Sequence, residues 1–502
     1  KDLTESLDLT VNFGGNKMRQ VFSRNILEAP ELEIPGVYNL QNSRIAVKAF
    51  TRDTQKEIHS LYGNVDLNFR DYLFLSVTAR NDWSSTLPLN NNSYFYPSVS
   101  LSGDITSMLG LESNALSYAK VRTSWAQVGS DTDPYNLVNV YEFFDKWDGS
   151  LISPTVSNIL LNPDLKPETS TSFEIGTELG FLGNRIMLNA TYYTKRSIDQ
   201  IVDVTVTAAS GYWSRFLNAG EISNKGIELT LSGTPVRASN GFTWDITANY
   251  TRNRNEVVSL PEGLETFQLY QYWNAQVIAR PGEPYGVLFG TDFERSPDGR
   301  IVHEDGVPLP GENKVLDNVT PDWVGGLTNT FRFKGISLGI LVDAKMGGSI
   351  YSMTNAWGRY AGILEETLIG REIGIVGDAV MEVGTDEEGN PVYAENNVVV
   401  EAQGYNHNAF GNNVVAGSVF DASYVKLRQI SIGYSFPRSL ISRTPFRAIT
   451  FSVIGRNLAL LYSKVPHIDP EFAFGNNNEV LGLEHAQSPS SRSIGFNLNF
   501  SL

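Results

Sequence analysis

Apolar and polar residues alternate over long stretches of this chain. The clearest stretch is the last. From Arg492 to Leu502, residues Ile494, Phe496, Leu498, Phe500 and Leu502 fall on one face, and Ser493, Gly495, Asn497, Asn499 and Ser501 fall on the other. A period of two marks a β-strand, whose successive side chains point to opposite sides of the sheet. Phe242–Tyr250 repeats the pattern, with Phe242, Trp244, Ile246, Ala248 and Tyr250 against Thr243, Asp245, Thr247 and Asn249. Tyr72–Arg80 places Leu73, Leu75, Val77 and Ala79 together. Phe173–Phe181 sets Phe173, Ile175, Thr177, Leu179 and Phe181 against Glu174, Gly176, Glu178 and Gly180. Ile336–Ala344 alternates with Leu341 as its one exception.

An apolar face opposite a small, polar one suits a wall between lipid and water. A half-exposed strand of a soluble antiparallel sheet alternates in the same way, so strand number, length and connection must decide. Further strands are expected at Leu7–Phe13, Glu57–Phe69, Tyr94–Ile105, Tyr118–Val128, Arg185–Lys195, Ile201–Thr207, Phe216–Ile222, Gly226–Gly233, Trp323–Phe333, Tyr424–Phe436 and Ala448–Asn457. In Tyr424–Phe436 the phase slips between Leu427 and Ile430, which predicts a bulge near Gln429. Several segments approach the roughly ten residues that a tilted strand needs to cross a bilayer, whereas soluble strands average about five to six. The connections fall into two classes. Arg70-Asp71, Leu182-Gly183-Asn184 and Lys334-Gly335 are tight, while Gly129–Thr169, Asn253–Pro321, Gly347–Ala422 and Leu458–Ser491 are very long. Short turns at one end and long loops at the other are the habit of outer-membrane barrels. The fold class read from this pattern is all-β, a transmembrane antiparallel β-barrel with long extracellular loops. Tyr94, Phe95, Tyr96, Trp125, Tyr192, Tyr193 and Trp323, at strand ends, are candidates for interfacial girdles or for ordinary sheet packing.

Composition adds three limits. The formal charge of −16 argues against nucleic acid as a partner, since phosphate binding needs a basic surface. There is no cysteine, which removes disulfides, thiolate metal sites and a thiol nucleophile. No window reaches the roughly 18 consecutive apolar residues of a membrane helix, so a membrane role must use strands.

Several segments together resemble the SusC/RagA-type TonB-dependent transporters of Bacteroidetes outer membranes. They are Asn162-Pro163-Asp164-Leu165-Lys166-Pro167-Glu168, Asn224-Lys225-Gly226-Ile227-Glu228-Leu229, Thr320-Pro321-Asp322-Trp323-Val324-Gly325-Gly326, the run Tyr424–Tyr434 followed by Phe436-Pro437, Arg456-Asn457-Leu458 and Asp469-Pro470-Glu471. Ser493, Gly495, Leu498 and Phe500 likewise resemble the C-terminal signal by which outer-membrane barrels are recognised for insertion. The resemblance covers about Gly63 to Leu502 and implies that residues 1–502 are the C-terminal portion of a 22-stranded barrel. The N-terminal plug domain and first strands would lie outside this chain.

Candidate chemistry is sparse. His59, His303, His407, His467 and His485 show no metal-site spacing. Loop carboxylates Asp292, Glu294, Asp298, Glu304, Asp305, Asp386, Glu387 and Glu388 are read as solvated rather than catalytic, so no catalytic residue, metal ligand or cofactor is expected. Asp386-Glu387-Glu388-Gly389-Asn390 remains open as a Ca²⁺ loop without EF-hand spacing, and Asp298-Gly299 reads as a hairpin turn. Loop aromatics Tyr270, Tyr272, Trp273, Tyr351, Trp357, Tyr360 and Tyr405 are candidates for ligand contact, because aromatic faces stack on sugar rings and apolar side chains.

The resemblance implies active import of oligosaccharide or oligopeptide across the outer membrane. A SusD-like lipoprotein would serve as lid, TonB would act through the N-terminal plug portion, and transporter–lipoprotein pairs would dimerise. The alternatives are a self-contained outer-membrane porin or barrel enzyme, and a soluble all-β binding protein.

Overall fold

The computed structural model describes residues 2–111, 113–147, 151–218, 220–407, 414–471 and 480–501. Leu502, the last position of the terminal alternation, lies outside them, as do parts of the two long C-terminal loops.

Fifteen strands follow one another in chain order in one large sheet. They are β1 (Asp2–Thr4), β2 (Leu7–Glu28), β3 (Lys48–Phe69), β4 (Leu73–Ser84), β5 (Ser93–Asp104), β6 (Leu116–Ser130), β7 (Glu168–Phe181) and β8 (Ile186–Ile198). The rest are β9 (Glu221–Arg237), β10 (Thr243–Ser259), β11 (Trp323–Phe333), β12 (Ile336–Met346), β13 (Tyr424–Ser435), β14 (Ala448–Ser463) and β15 (Ser493–Ser501). Among the described residues no helix is long and apolar enough to cross a membrane. The chain divides into two compact units, Lys1–Gly103 with Arg122–Phe173 and Lys195–Glu221, and Asp104–Val121 with Glu174–Thr194 and Ile222–Leu502.

In the first unit β2 and β3 are 22 residues each and pair along their whole length, from Leu7↔Phe69 to Glu28↔Lys48. Leu9, Val11 and Phe13 share a face with their partners Leu67, Val65 and Gly63. Phe13 is 80% exposed there. Asp8, Thr10 and Asn12 occupy the other face. The β3–β4 turn holds Arg70 and Asp71 at φ 51° and 57°, the two left-handed residues of a type I′ hairpin. Tyr94 and Tyr96 lie on the polar face rather than in an outer girdle. The Tyr96 hydroxyl donates to Asp82 at 2.6 Å, and a methyl at Gly129 would come within 2.4 Å of the Tyr94 ring. The strand expected at Ile201–Thr207 and the first part of that expected at Phe216–Ile222 do not join the wall, whereas Glu221 and Ile222 open β9. Ile201–Thr205 pairs with Ser214–Asn218 in a separate three-stranded sheet. Asp199, at φ 55°, breaks the chain out of β8 just before them, and five-residue strands are too short to span a bilayer.

In the second unit β10 to β15 pair antiparallel in sequence. The expected bulge is present. Leu341 faces Gln429 and Val342 faces Leu427, leaving Arg428 as the extra residue. The bulge restores the phase, so Val425, Leu427, Ile430, Ile432 and Tyr434 line up with Ala344, Val342, Ile340, Leu338 and Ile336. On β15, Phe496 is 74% exposed, and its apolar row continues onto β14 through Val453, Phe451 and Ile449. Uninterrupted exposed rows of this kind call for a non-aqueous surround. Lys334 and Gly335 (φ 46° and 84°) close β11 onto β12 tightly at one end, while the other end carries the long connections.

Those connections form the packed core of the second unit. Ala275, Val277, Leu288, Val319, Tyr351, Met353, Ala356, Val415 and Leu483 are buried together, drawn from three loops distant in sequence. The last of these loops is tied to the wall by charge. Lys426 Nζ, on β13, lies 2.6 Å from both Asp469 and Glu471. Arg428, the bulge residue, reaches Glu471 at 2.5 Å and Asp343 at 2.7 Å.

Candidate functional site

Two short elements bring loop aromatics together. The hairpin Phe267–Tyr272 with Ala275–Ala279 places Trp273 at its tip, in the left-handed region at φ 52°. The helix α1, Met353–Tyr360, starts at Ser352, whose hydroxyl accepts the Asn355 amide at 3.2 Å. Ser352 and Thr354 both donate to the buried Glu484 carboxylate, at 2.7 and 2.5 Å, which fixes the helix start against the last loop. Met353 and Ala356 face the core, so Trp357 and Tyr360, three residues apart, share the open face.

Trp273 and Trp357 meet edge to face at 5.4 Å and 77°. Tyr360 meets Trp357 at 5.4 Å and 60°, and His407 lies 3.6 Å from Tyr360, centroid to centroid. Trp273 is 49% exposed and Trp357 38%. The rings therefore present edges and partial faces to solvent. Beside Tyr360 opens a cleft of about 700 Å³ walled by Arg359, Arg371, Glu401 and Gln403. Its arginines are held from behind. Arg359 donates to the Gly417 carbonyl at 2.5 Å and Arg371 to the Thr367 carbonyl at 2.9 Å. Glu366 stands 3.5 Å from Arg359 and 3.2 Å from His467. Burial opposes its ionisation but is outweighed by hydrogen bonds from its own backbone amide and from His467, and its carboxyl stays below the usual range.

The structure thus brings Trp273 and Trp357 together with Tyr360 and adds His407, which spacing had marked only as a non-ligand. It sets the other candidates apart. Tyr351 is 1% exposed in the loop core and offers no surface. Tyr272 turns to His485, with its hydroxyl on Nδ1. Tyr405 packs against His303 at 5.8 Å, and burial raises its phenol pKa. Tyr270 is 38% exposed on the Trp273 hairpin. The Asp386–Asn390 segment is a hairpin turn whose acceptor is occupied. Asp386 accepts the Glu388 and Asn390 amides at 2.9 and 2.8 Å, and these bonds lower its pKa. Asp298-Gly299 likewise forms a turn, with the Ser296 amide on the Arg300 carbonyl at 3.0 Å. Among the described residues no group of three or more ligating side chains could hold a metal. Ser493, Gly495, Leu498 and Phe500 lie on the terminal strand, the first two on its polar face and the last two on its apolar face. The arginine- and glutamate-walled cleft carried no sequence signal, because its walls come from segments with neither periodicity nor motif.

The comparisons agree with this architecture. A family model described as "TonB dependent receptor-like, beta-barrel" matches residues 1–458. The TonB-dependent receptor P3 of Formosa agariphila is 26% identical over 92% of this chain and 47% of its own length. The TonB-dependent receptor SusC of Bacteroides thetaiotaomicron is 22% identical over 46% of this chain and 25% of its own. The solved structure of the RagAB peptide transporter superposes with a TM-score of 0.79 at 20% identity, over 99% of this chain and 54% of that one. The chain spans about half the length of the first of these relatives and of that solved chain. With its apolar-faced sheet, packed loop block and matched family model, the chain belongs to the TonB-dependent receptor-like β-barrel family, a family of outer-membrane proteins.

Proposed function

We propose that this chain is the C-terminal wall and loop block of an outer-membrane importer of the SusC/RagA type. It would take up an oligosaccharide or oligopeptide. A SusD-like surface lipoprotein would cover the loops, and TonB would act through an N-terminal plug portion of the same transporter. The observation that carries the reading is the loop block itself. Its own buried core anchors the hairpin and helix that carry Trp273, Trp357 and Tyr360 at the long-loop end, beside an open cleft. Passive pores need no such built surface. The names of the relatives, TonB-dependent receptors and a peptide transporter, support the same class.

The test is mass spectrometry of all polypeptides that co-purify with this chain from outer membranes in mild detergent. A plug-containing portion and a lipoprotein are expected. Recovery of this chain alone, as a closed heat-modifiable barrel, would overturn the importer reading. In the intact transporter, Trp273→Ala with Trp357→Ala is expected to weaken ligand binding by about tenfold or more, since an exposed aromatic contact contributes on the order of 1 kcal/mol each. Unchanged affinity, read by calorimetry, would move the site elsewhere.

A further inference from the structure

The β2–β3 hairpin continues well beyond its apolar rows. At about 3.3 Å per residue, Arg24 lies roughly 35 Å along the strand from Phe13, on the long-loop side of the wall. On the face that continues from Asp8, Thr10 and Asn12, three cross-strand pairs follow in register: Gln20↔Lys56, Phe22↔Thr54 and Arg24↔Arg52. Two arginines therefore stand directly opposite each other, with Cβ atoms about 5 Å apart in such a pairing. Like charges in that position repel. Arg19, on the other face, has Gln55 as partner, and Lys17 has Glu57. Among the described residues, Arg24 and Arg52 have neither an ion pair nor a side-chain hydrogen bond. Lys56 next to them is neutralised by Asp131 at 2.6 Å. The two arginines, Phe22 and Thr54 line one cavity of about 350 Å³, closed on one side by Asp133 and Pro134. Asp133 makes no ion pair with either arginine. In a chain of net charge −16, two arginines without ion pairs on a recessed surface, faced there by the single carboxylate of Asp133, leave room for an anion from outside.

We infer that this cavity binds the carboxylate or sulfate of an acidic oligosaccharide. The inference rests on the importer reading for the nature of the cargo. Three features select this class. Two opposed guanidinium groups offer a pair of planar forks, the geometry that binds carboxylate and sulfate in bidentate fashion. Phe22, 54% exposed, lies one pair along on the same face, so a sugar ring can stack on it while its charged substituent sits between the arginines. Gln20 and Thr54 flank the ring and serve its hydroxyls. An acidic peptide is disfavoured because extended peptides dock by their main chain. Backbone donors and acceptors lie in the plane of the sheet, at strand edges, so the face that carries Arg24, Arg52 and Phe22 offers side chains only. A lipid headgroup is disfavoured because the site lies on the face opposite Leu9, Val11 and Phe13, away from the lipid.

The test is calorimetric binding to the intact transporter in detergent, at low and high salt. The probes are oligogalacturonate, oligomannuronate and a sulfated galactan oligomer, with maltooligosaccharide, oligoglutamate and anionic phospholipid vesicles as comparisons. At least one acidic saccharide is expected to bind, more weakly as salt rises. Arg24→Gln with Arg52→Gln should lower that affinity at least about tenfold, and Arg24→Lys with Arg52→Lys should restore part of it. Both side chains are exposed, so the glutamine variant should remain heat-modifiable. Phe22→Ala supplies an independent loss without a change of charge. Equal affinity in the glutamine variant, an arginine-dependent preference for oligoglutamate or for vesicles, or no arginine-dependent binding to any acidic saccharide would each overturn the inference. The binding assay requires neither lid nor TonB. Failure of the importer reading, seen as missing co-purifying partners, is therefore distinguishable from failure of this site.

Discussion

At position 226 a glycine lets a tyrosine lie flat across the sheet. Gly226 sits within β9, and a methyl there would come within 2.3 Å of the Tyr193 ring. The ring covers the bare backbone, and its hydroxyl donates to Asn253 at 3.0 Å. Tyr62 does the same over its register partner Gly14, where the equivalent approach is 2.6 Å. The sequence motif around Gly226 carried only the family resemblance. The ring cover was invisible because Tyr193 belongs to another strand. Gly226→Ala should push the ring aside and break its hydrogen bond, at a cost of about 1 kcal/mol. Urea unfolding in detergent should show this loss, and a Tyr193→Phe background should shrink it, because the hydrogen bond is then already gone. Asn329 poses a different residue-scale problem. It lies on the apolar row between Phe331 and Leu327, opposite Ile246. Its carbonyl oxygen accepts the Trp244 indole N–H at 3.0 Å. Asn329→Ala should therefore cost about 1 kcal/mol despite removing a polar group from lipid, since it orphans that N–H. A neutral or stabilising result would show that the indole finds another partner.

Among the elements, the wall strands were legible where lipid touches them and illegible beyond. Trp323–Phe333 was bounded correctly from alternation alone, and the bulge in β13 was visible because the apolar row must stay in phase on both sides of it. By contrast, β2 was seen only to Phe13, though it runs to Glu28. Past Phe13 both faces are wet, so nothing forces the alternation that reveals a strand. The loop aromatics were legible as residue types but not as a group. Trp273 and Trp357 meet only because a core assembled from three loops holds them, and that same core took Tyr351 out of reach. The tie between β13 and the last loop gives an element-scale prediction. Burial opposes ionisation of Glu471, but hydrogen bonds from Arg428 and Lys426 outweigh it and leave its pKa below 4.5. A depressed carboxyl contributes stability that is fully present above the unfolded value and is lost as pH falls through the folded one. Limited proteolysis near 464–471 should therefore be slow at neutral pH and accelerate only below about pH 4.5. Lys426→Met should make the segment labile already at neutral pH. It leaves Asp469 without its ammonium partner in a half-closed site, and breaking such a pair costs on the order of 3 kcal/mol. Unchanged proteolysis in this variant would mean that the loop is held by its apolar contacts alone.

For the whole molecule, the decisive property is which face of the sheet meets lipid, and adjacent residues of the last strand separate the two answers. Leu498 pairs with Phe451 on the apolar row, and Asn497 pairs with Ser452 on the polar one. All four are exposed or half-exposed, so burial within the protein gives no reason for them to respond differently to a charge. A bilayer does. An arginine facing lipid near mid-membrane costs about 3 kcal/mol, while one facing the lumen costs almost nothing. Leu498→Arg should sharply reduce the heat-modifiable folded form recovered from outer membranes, and Asn497→Arg should leave it near the wild-type level. Leu498 also belongs to the segment that resembles an insertion signal, so its loss alone would not separate a lipid penalty from failed recognition. Phe451→Arg does. It places the same charge at the same depth on β14, outside the terminal segment. If both arginines on the apolar row fail and the lumenal one folds, the row faces lipid. If Leu498→Arg fails while Phe451→Arg folds, the terminal strand acts through recognition, and the lipid assignment of this face falls.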